Sequence, residues 1–189
     1  DQEALTASKW FYTEGYLVTS DTARVAAIEA RKLAERNGVK TALSLSDPNM
    51  VKFFKDGLKE MIGERMDMVF ANEEEAMGMA ETDNLDDAVA YLKTIAREFA
   101  ITRGPKGALV WDGEQAIDID PVPVKPVDTV GAGDMFAGAF LYGLTQGWSH
   151  QRAGDLASAA SARLVTSLGP RLSNTNLKSM LVDFMRRSQ

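Results

Sequence analysis

The run Asp128-Thr129-Val130-Gly131-Ala132-Gly133-Asp134 joins a tight glycine turn to a helix start with a carboxylate in its first turn. A helix N-terminus presents unpaired backbone N–H groups at the positive end of the dipole, which suits an oxyanion. Glycine lets that backbone approach a ligand closely, and Asp134 supplies a carboxylate beside it. An oxyanion cradle together with a proton acceptor is what phosphoryl transfer to a hydroxyl requires. Gly-Ala-Gly-Asp alone is a common turn, because an Asp in a first turn is often only a dipole partner. The flanks strengthen it: Asp128-Thr129 stands just upstream, and Gly138-Ala139 downstream allows close helix packing.

Two further clusters follow strands. Asn72-Glu73-Glu74-Glu75 comes directly after Met66 to Phe70, and on residue types alone its acids read as solvated first-turn charges. Thr102-Arg103-Gly104-Pro105-Lys106-Gly107 reads as a turn, with Lys106 and Arg103 as phosphate partners or exposed loop charges.

The elements that position these clusters alternate. Lys9 to Thr13 is strand-like, and Ser20 or Asp21 caps a helix with Val25, Ile28 and Leu33 on one face, ending at Asn37-Gly38. Lys40 to Leu45 is a buried strand, and Asp47-Pro48 starts a helix with Val51, Phe54, Leu58, Met61 and Ile62 facing inward. A short helix follows Glu75, Asn84 caps a longer one, and Phe99 to Thr102 is a strand. Ala108 to Trp111 and Gln115 to Ile119 form a hairpin across Asp112-Gly113. Helices from Gly133, Ser149 and about Asn174 close the chain, with Ala153, Leu156, Ala157 and Ala160 as a packing face. Strands alternating with helices imply an α/β fold: a three-layer, Rossmann-like, mostly parallel sheet covered on both faces, with an antiparallel edge hairpin. Ligands collect at the C-terminal ends of such strands, where the loops after Phe70 and Thr102 lie. With no repeat, low-complexity segment or linker, residues 1–189 read as a single α/β unit.

Composition narrows the chemistry. Hydrophobic residues make up 45% and charged residues 25%, which is ordinary for a globular protein. There is no cysteine, hence no disulfide, thiolate nucleophile or cysteine zinc site. His150 is the only histidine, which excludes a multi-histidine metal site and reads as a solvated residue at a helix start. The net charge of −6 comes without a basic tract for nucleic acid, and no apolar run suggests a membrane span. The expected setting is cytoplasmic. Asp1, with a strand soon after it, reads as entry into the middle of a fold.

Asp128 through Leu141 resembles the C-terminal signature of ribokinase-like (PfkB-type) carbohydrate and nucleoside kinases at every restricted position. The resemblance implies that Asp134 is the catalytic base and that the backbone of Gly131, Ala132 and Gly133 is the anion hole for the transferred phosphoryl group. Asp128 matches an aspartate that often helps to bind a monovalent cation, K⁺ by expectation. Asn72 and Glu75 match the family's Asn-x-x-Glu motif, which organises Mg²⁺ and its waters, and oxygen ligands with retained water suit that ion. Thr102, Gly104 and Gly107 match a loop that runs beside ATP. Leu43 to Phe54 and Met68 to Ala76 look most like the adenosine-kinase-like branch, while Asp47-Pro48-Asn49 is also similar to sugar-kinase members. The N-terminal part of such an enzyme, with most substrate contacts and the β-stranded lid, has no counterpart here. The chain is thus similar to the C-terminal, nucleotide-binding and catalytic part of a larger kinase domain.

The implied function is transfer from Mg-ATP to a primary hydroxyl of an adenosine-like nucleoside or a sugar, with the piece inactive by itself. The alternative is a catalytically incompetent nucleotide-binding fragment. A nicotinamide-dependent dehydrogenase fits the α/β organisation but lacks support, because the glycine turn does not follow the first strand and no acidic ribose-binding residue sits at the expected distance. The resemblance leaves the oligomeric state open, with a homodimer of the full-length enzyme as one option, since many family members dimerise through the lid.

Overall fold

The computed structural model describes residues 1–187. Chain packing divides them into two compact units. The first comprises Asp1–Thr102 with Trp111–Gln115, and the second comprises Arg103–Val110 with the chain from Ala116 onward.

In the first unit, β1 (Trp10–Glu14), β2 (Lys40–Ser44), β3 (Met66–Asn72) and β4 (Ala96–Thr102) run parallel in sequential order. Tyr12 pairs with Ala42, Ala42 with Met68, and Met68 with Glu98. Parallel neighbours need crossover connections, supplied by α2 (Asp21–Arg36), α3 (Pro48–Ile62), and the pair α4 (Glu73–Ala80) and α5 (Leu85–Ile95). These helices pack one on the next, α2 on α3, α3 on α4 and α4 on α5. Consecutive residues such as Met68-Val69-Phe70 and Phe99-Ala100-Ile101 are all buried. Successive side chains point to opposite faces, so both faces of these strands are covered, as a parallel sheet demands.

Caps follow local chemistry. Ser20 Oγ accepts the Ala23 amide, Asp47 the Asn49 amide at 2.7 Å, and Asn84 the Asp86 amide at 2.8 Å. Helix faces are less obedient. α2 buries Ala27, Arg31 and Ala34 instead of Val25, which is 57% exposed: the small alanines allow close approach. In α3, Val51, Leu58, Met61 and Ile62 are buried as expected, but Phe54 is 37% exposed. Its backbone leaves helical geometry (φ −131°, ψ 25°), and this kink turns the ring outward. The sequence pattern also gives no sign of α1 (Gln2–Thr6), held by the Asp1 side chain on the Glu3 and Ala4 amides, or of the 3-10 turn Gly15–Thr19.

The second unit holds the hairpin of β5 (Ala108–Trp111) and β6 (Ala116–Ile119), whose last β5 residue and turn belong to the first unit. Neighbouring strands joined by so short a turn are antiparallel. Residues 121–130 then run without regular structure, with Val122, Val124, Val127 and Val130 exposed. α6 (Ala132–Thr145) and α7 (His150–Val165) pack together, and α8 (Asn174–Arg187) follows. α7 buries Ala153, Leu156, Ala157 and Ala160, the face expected from its sequence. His150 is not simply solvated: its ring lies 6.0 Å from that of Phe140.

Close packing of α6 falls on a different glycine from the one the signature suggests. A Cβ on Gly138 would meet nothing within 4 Å, whereas one on Gly143 would stand 2.8 Å from Ala153 Cβ and 2.9 Å from its Cα. Urea unfolding is expected to separate them. Gly138→Ala should stabilise by up to about 1 kcal/mol through helix propensity. Gly143→Ala should destabilise by about 1–3 kcal/mol through overpacking. Equal midpoints would contradict this packing.

Candidate functional site

In the first unit the site residues stand at the C-terminal ends of β3 and β4. Asn72 closes β3 and caps α4, and its register partner across the sheet is Thr102, the last residue of β4. Three bonds lock Asn72 to Glu75. The Asn72 amide donates to Glu75 Oε2 at 2.9 Å, Asn72 Nδ2 to Oε1 at 2.8 Å, and the Glu75 amide to Asn72 Oδ1 at 2.8 Å. This is a capping box in which the carboxylate satisfies two donors of its partner. Glu75 is 5% exposed, and burial pushes its pKa up to about 7. The Asn72 backbone bond opposes the rise, and the nearby charges of Asp47 and Glu74 add to it. Asp47, at the start of α3, is a neighbour that sequence reasoning missed; its only signal was another strand-end acid.

Among the described residues no group of three or more His, Cys, Asp or Glu side chains is placed to hold a metal ion directly. The donor set nevertheless fits magnesium held through its waters. All donors are hard oxygens, the carboxylates repel one another, and both Glu75 oxygens already accept from Asn72. Thr102 Oγ1 donates to the Ala71 carbonyl at 3.4 Å, so it sits on the end of β3 itself.

In the second unit the loop Gly104–Lys106 closes on itself. The Arg103 amide donates to the Gly107 carbonyl at 2.8 Å and the Gly107 amide to the Gly104 carbonyl at 3.1 Å. Arg103 is not a loose loop charge: its guanidinium pairs with Asp118 at 2.7 Å.

The helix start at α6 has the second unit's most defined geometry. Gly131 takes the left-handed conformation (φ 79°, ψ 4°) as the N-cap. A Cβ there would stand 2.7 Å from the Pro170 carbonyl oxygen, so only glycine fits. Asp128 accepts the Val130 amide at 3.0 Å on Oδ1 and the Gly169 amide at 2.9 Å on Oδ2. These bonds, the Val130 bond first, hold its carboxyl below the usual carboxylate range. Ser161 on α7 donates to the Ala132 carbonyl at 3.0 Å. Ser161 escaped sequence reasoning because it lies far along the chain from the turn.

Of the three amides read as an anion hole, Ala132 is partly engaged, donating to the Thr129 carbonyl at 3.2 Å. The Gly131, Gly133 and Asp134 amides make no hydrogen bond among the described residues, and no atom lies within 4 Å of a Cβ position on Gly133. Asp134 is exposed beside them. An exposed carboxylate next to free first-turn amides can accept a proton and hold an oxyanion at one place.

Residues 1–177 match the pfkB family of carbohydrate kinases. A 5-dehydro-2-deoxygluconokinase of Clostridium perfringens is 28% identical over 177 residues, covering 88% of this chain and 52% of that protein. An adenosine kinase of Saccharomyces cerevisiae is 29% identical over 180 residues, covering 87% of this chain and 51% of its own. Among solved structures, the adenosine kinase from Sinorhizobium meliloti superposes with a TM-score of 0.90 at 30% identity, covering all of this chain and 57% of that one. The chain spans about half the length of the curated relatives it matches.

The two perturbed carboxylates give opposite pH dependences. Glu75 has a folded pKa raised to about 7 from an ordinary 4.5, so the folded state holds its proton more tightly. Its contribution is therefore favourable at low pH and is lost as pH rises from 4.5 to about 7, by roughly 3 kcal/mol in all. Asp128, held low, contributes stability that is lost on acidification. Urea unfolding between pH 5 and 8 should show a loss of stability that Glu75→Gln abolishes. An unchanged slope in that variant would rule out Glu75 as its source.

Proposed function

Because the chain belongs to the pfkB family of carbohydrate kinases, we propose that it carries the ATP-binding and proton-accepting part of an enzyme that phosphorylates a primary hydroxyl of a nucleoside or sugar. The start of α6 carries this reading: free amides at Gly131 and Gly133 with an exposed Asp134 carboxylate beside them. Asp134 accepts the proton of the attacking hydroxyl, a contribution of about 10²–10⁴-fold in rate. The backbone from Gly131 to Gly133 faces the charge that develops on the transferred phosphoryl oxygens. Thr102, Gly104 and Gly107 border the nucleotide, and Asn72 and Glu75 hold the water shell of magnesium. When bound, that ion supplies neutralisation of the phosphate oxygens. Asp128 holds the turn, with lone pairs left over for a monovalent cation.

The acceptor is a nucleoside or sugar and no narrower. One relative is an adenosine kinase and another a 5-dehydro-2-deoxygluconokinase, at nearly equal identity.

A second reading rests on a separate observation, the half-length match to the curated relatives. By it, these residues alone bind nucleotide without transferring phosphate. An exposed Asp134 leaves the reacting centre wet, which favours hydrolysis or no reaction over transfer.

Calorimetry with Mg-ATP, then an assay for phosphorylated adenosine, ribose or 5-dehydro-2-deoxygluconate, separates the readings. Binding without transfer supports the second, and transfer by this chain refutes it. In the longest natural chain carrying these residues, Asp134→Asn should keep ATP binding and lower turnover about 10²–10⁴-fold. Near-normal turnover would remove Asp134 from the reaction.

A further inference from the structure

Parallel strands all begin at one end of the sheet and finish at the other, so in the first unit the strand starts lie opposite Asn72 and Glu75. A cleft of about 810 Å³ opens at the end where they begin, formed by the ends of α2 and α3 and the first residues of β2, β3 and β4. β3 is seven residues long, which separates the cleft from Asn72 by about 20 Å. Its charge is the reverse of the whole chain's: five cationic side chains face three carboxylates, in a protein of net charge −6.

Arg31 is the most buried of these cations, at 8% exposure. It pairs with Glu35 through Nη1, and its guanidinium occupies the space a Cβ on Gly63 would need. Its Nε is buried with no acceptor among the described residues. A buried donor without an acceptor is costly, so a half-satisfied guanidinium lines the cleft. Arg65 and Arg97 line it too, each committing only Nε: Arg65 to the Ala96 carbonyl at 3.2 Å, Arg97 to Asp67 at 3.3 Å. Their Nη groups make no bond among the described residues. A basic residue in the last turn of a helix complements its dipole. In α2 that residue is Arg36, so the dipole accounts neither for Arg31 nor for Arg65 and Arg97, which stand at strand starts.

We propose that this cleft binds a small phosphate-bearing molecule. The guanidinium groups of Arg31, Arg65 and Arg97 receive the phosphate oxygens, and Glu64 accepts from hydroxyls beside them. The volume suits a sugar phosphate or a nucleotide. The site is separate from the one at α6 and stands or falls independently of it.

The test is a ¹H–¹⁵N titration of the 189-residue protein with inorganic phosphate and with ribose 5-phosphate, using ribose as the uncharged control. A phosphate-bearing probe should move the amides of Gly38–Thr41 and Gly63–Asp67 saturably, and ribose should not. Arg65 and Arg97 are both exposed, so the double variant Arg65→Gln/Arg97→Gln should fold normally. It should weaken binding at least about tenfold, the loss of a charge-assisted hydrogen bond. Arg31→Lys keeps the charge, loses the fork and should weaken it as well. The proposal is overturned by shifts confined to Gly131–Asp134, by no shift with either phosphate probe, or by equal shifts in the double variant.

Discussion

Asp128 accepts the Val130 amide on one carboxylate oxygen and the Gly169 amide on the other, and the geometry of the second unit's helix start follows from that pair. The first bond is an Asx turn, which bends the chain ahead of Gly131. The second ties the turn to the loop beyond α7, 41 residues later. With that loop in place, Pro170 stands over Gly131 and leaves no room for a side chain. Ser161 adds a third tie through the Ala132 carbonyl. α6 owes its length to its own apolar residues, but it owes the direction of its first-turn amides to this carboxylate.

The two perturbed acids solve different problems. Asp128 is stabilised as an anion because backbone donors meet both of its oxygens. Glu75 also has both oxygens satisfied, yet burial outweighs those bonds and raises its pKa. A buried carboxylate near Asp47 and Glu74 sits in a locally negative field, which a cation would relieve. The same capping box that fixes the start of α4 thus stores an electrostatic demand at the C-terminal end of β3.

The parallel sheet separates chemistry by strand direction. Acidic and hydrogen-bonding groups gather where β3 and β4 end, and arginines gather where β2, β3 and β4 begin. A strand of seven residues keeps the two sets too far apart to share one small ligand. The first unit therefore has room for two independent binding chemistries.

Much was determined by local sequence. The strand and helix order, the caps Ser20, Asp47 and Asn84, and the α7 packing face all follow from periodicity and from side chains that bond their own backbone. The turn at Gly131 was visible for the same reason, since only glycine tolerates its dihedral angles. Where tertiary contacts choose between local options, the sequence misled. Alanines displaced Val25 from the buried face of α2, a kink turned Phe54 outward, and Gly143 took the packing role that Gly138 suggested. Only the folded chain brought Gly169 and Pro170 to Gly131, set Asp47 beside Glu75, and assembled the arginines at the strand starts. Those relations join residues far apart in sequence, and no periodicity or cap encodes them, because their partners are defined by packing alone.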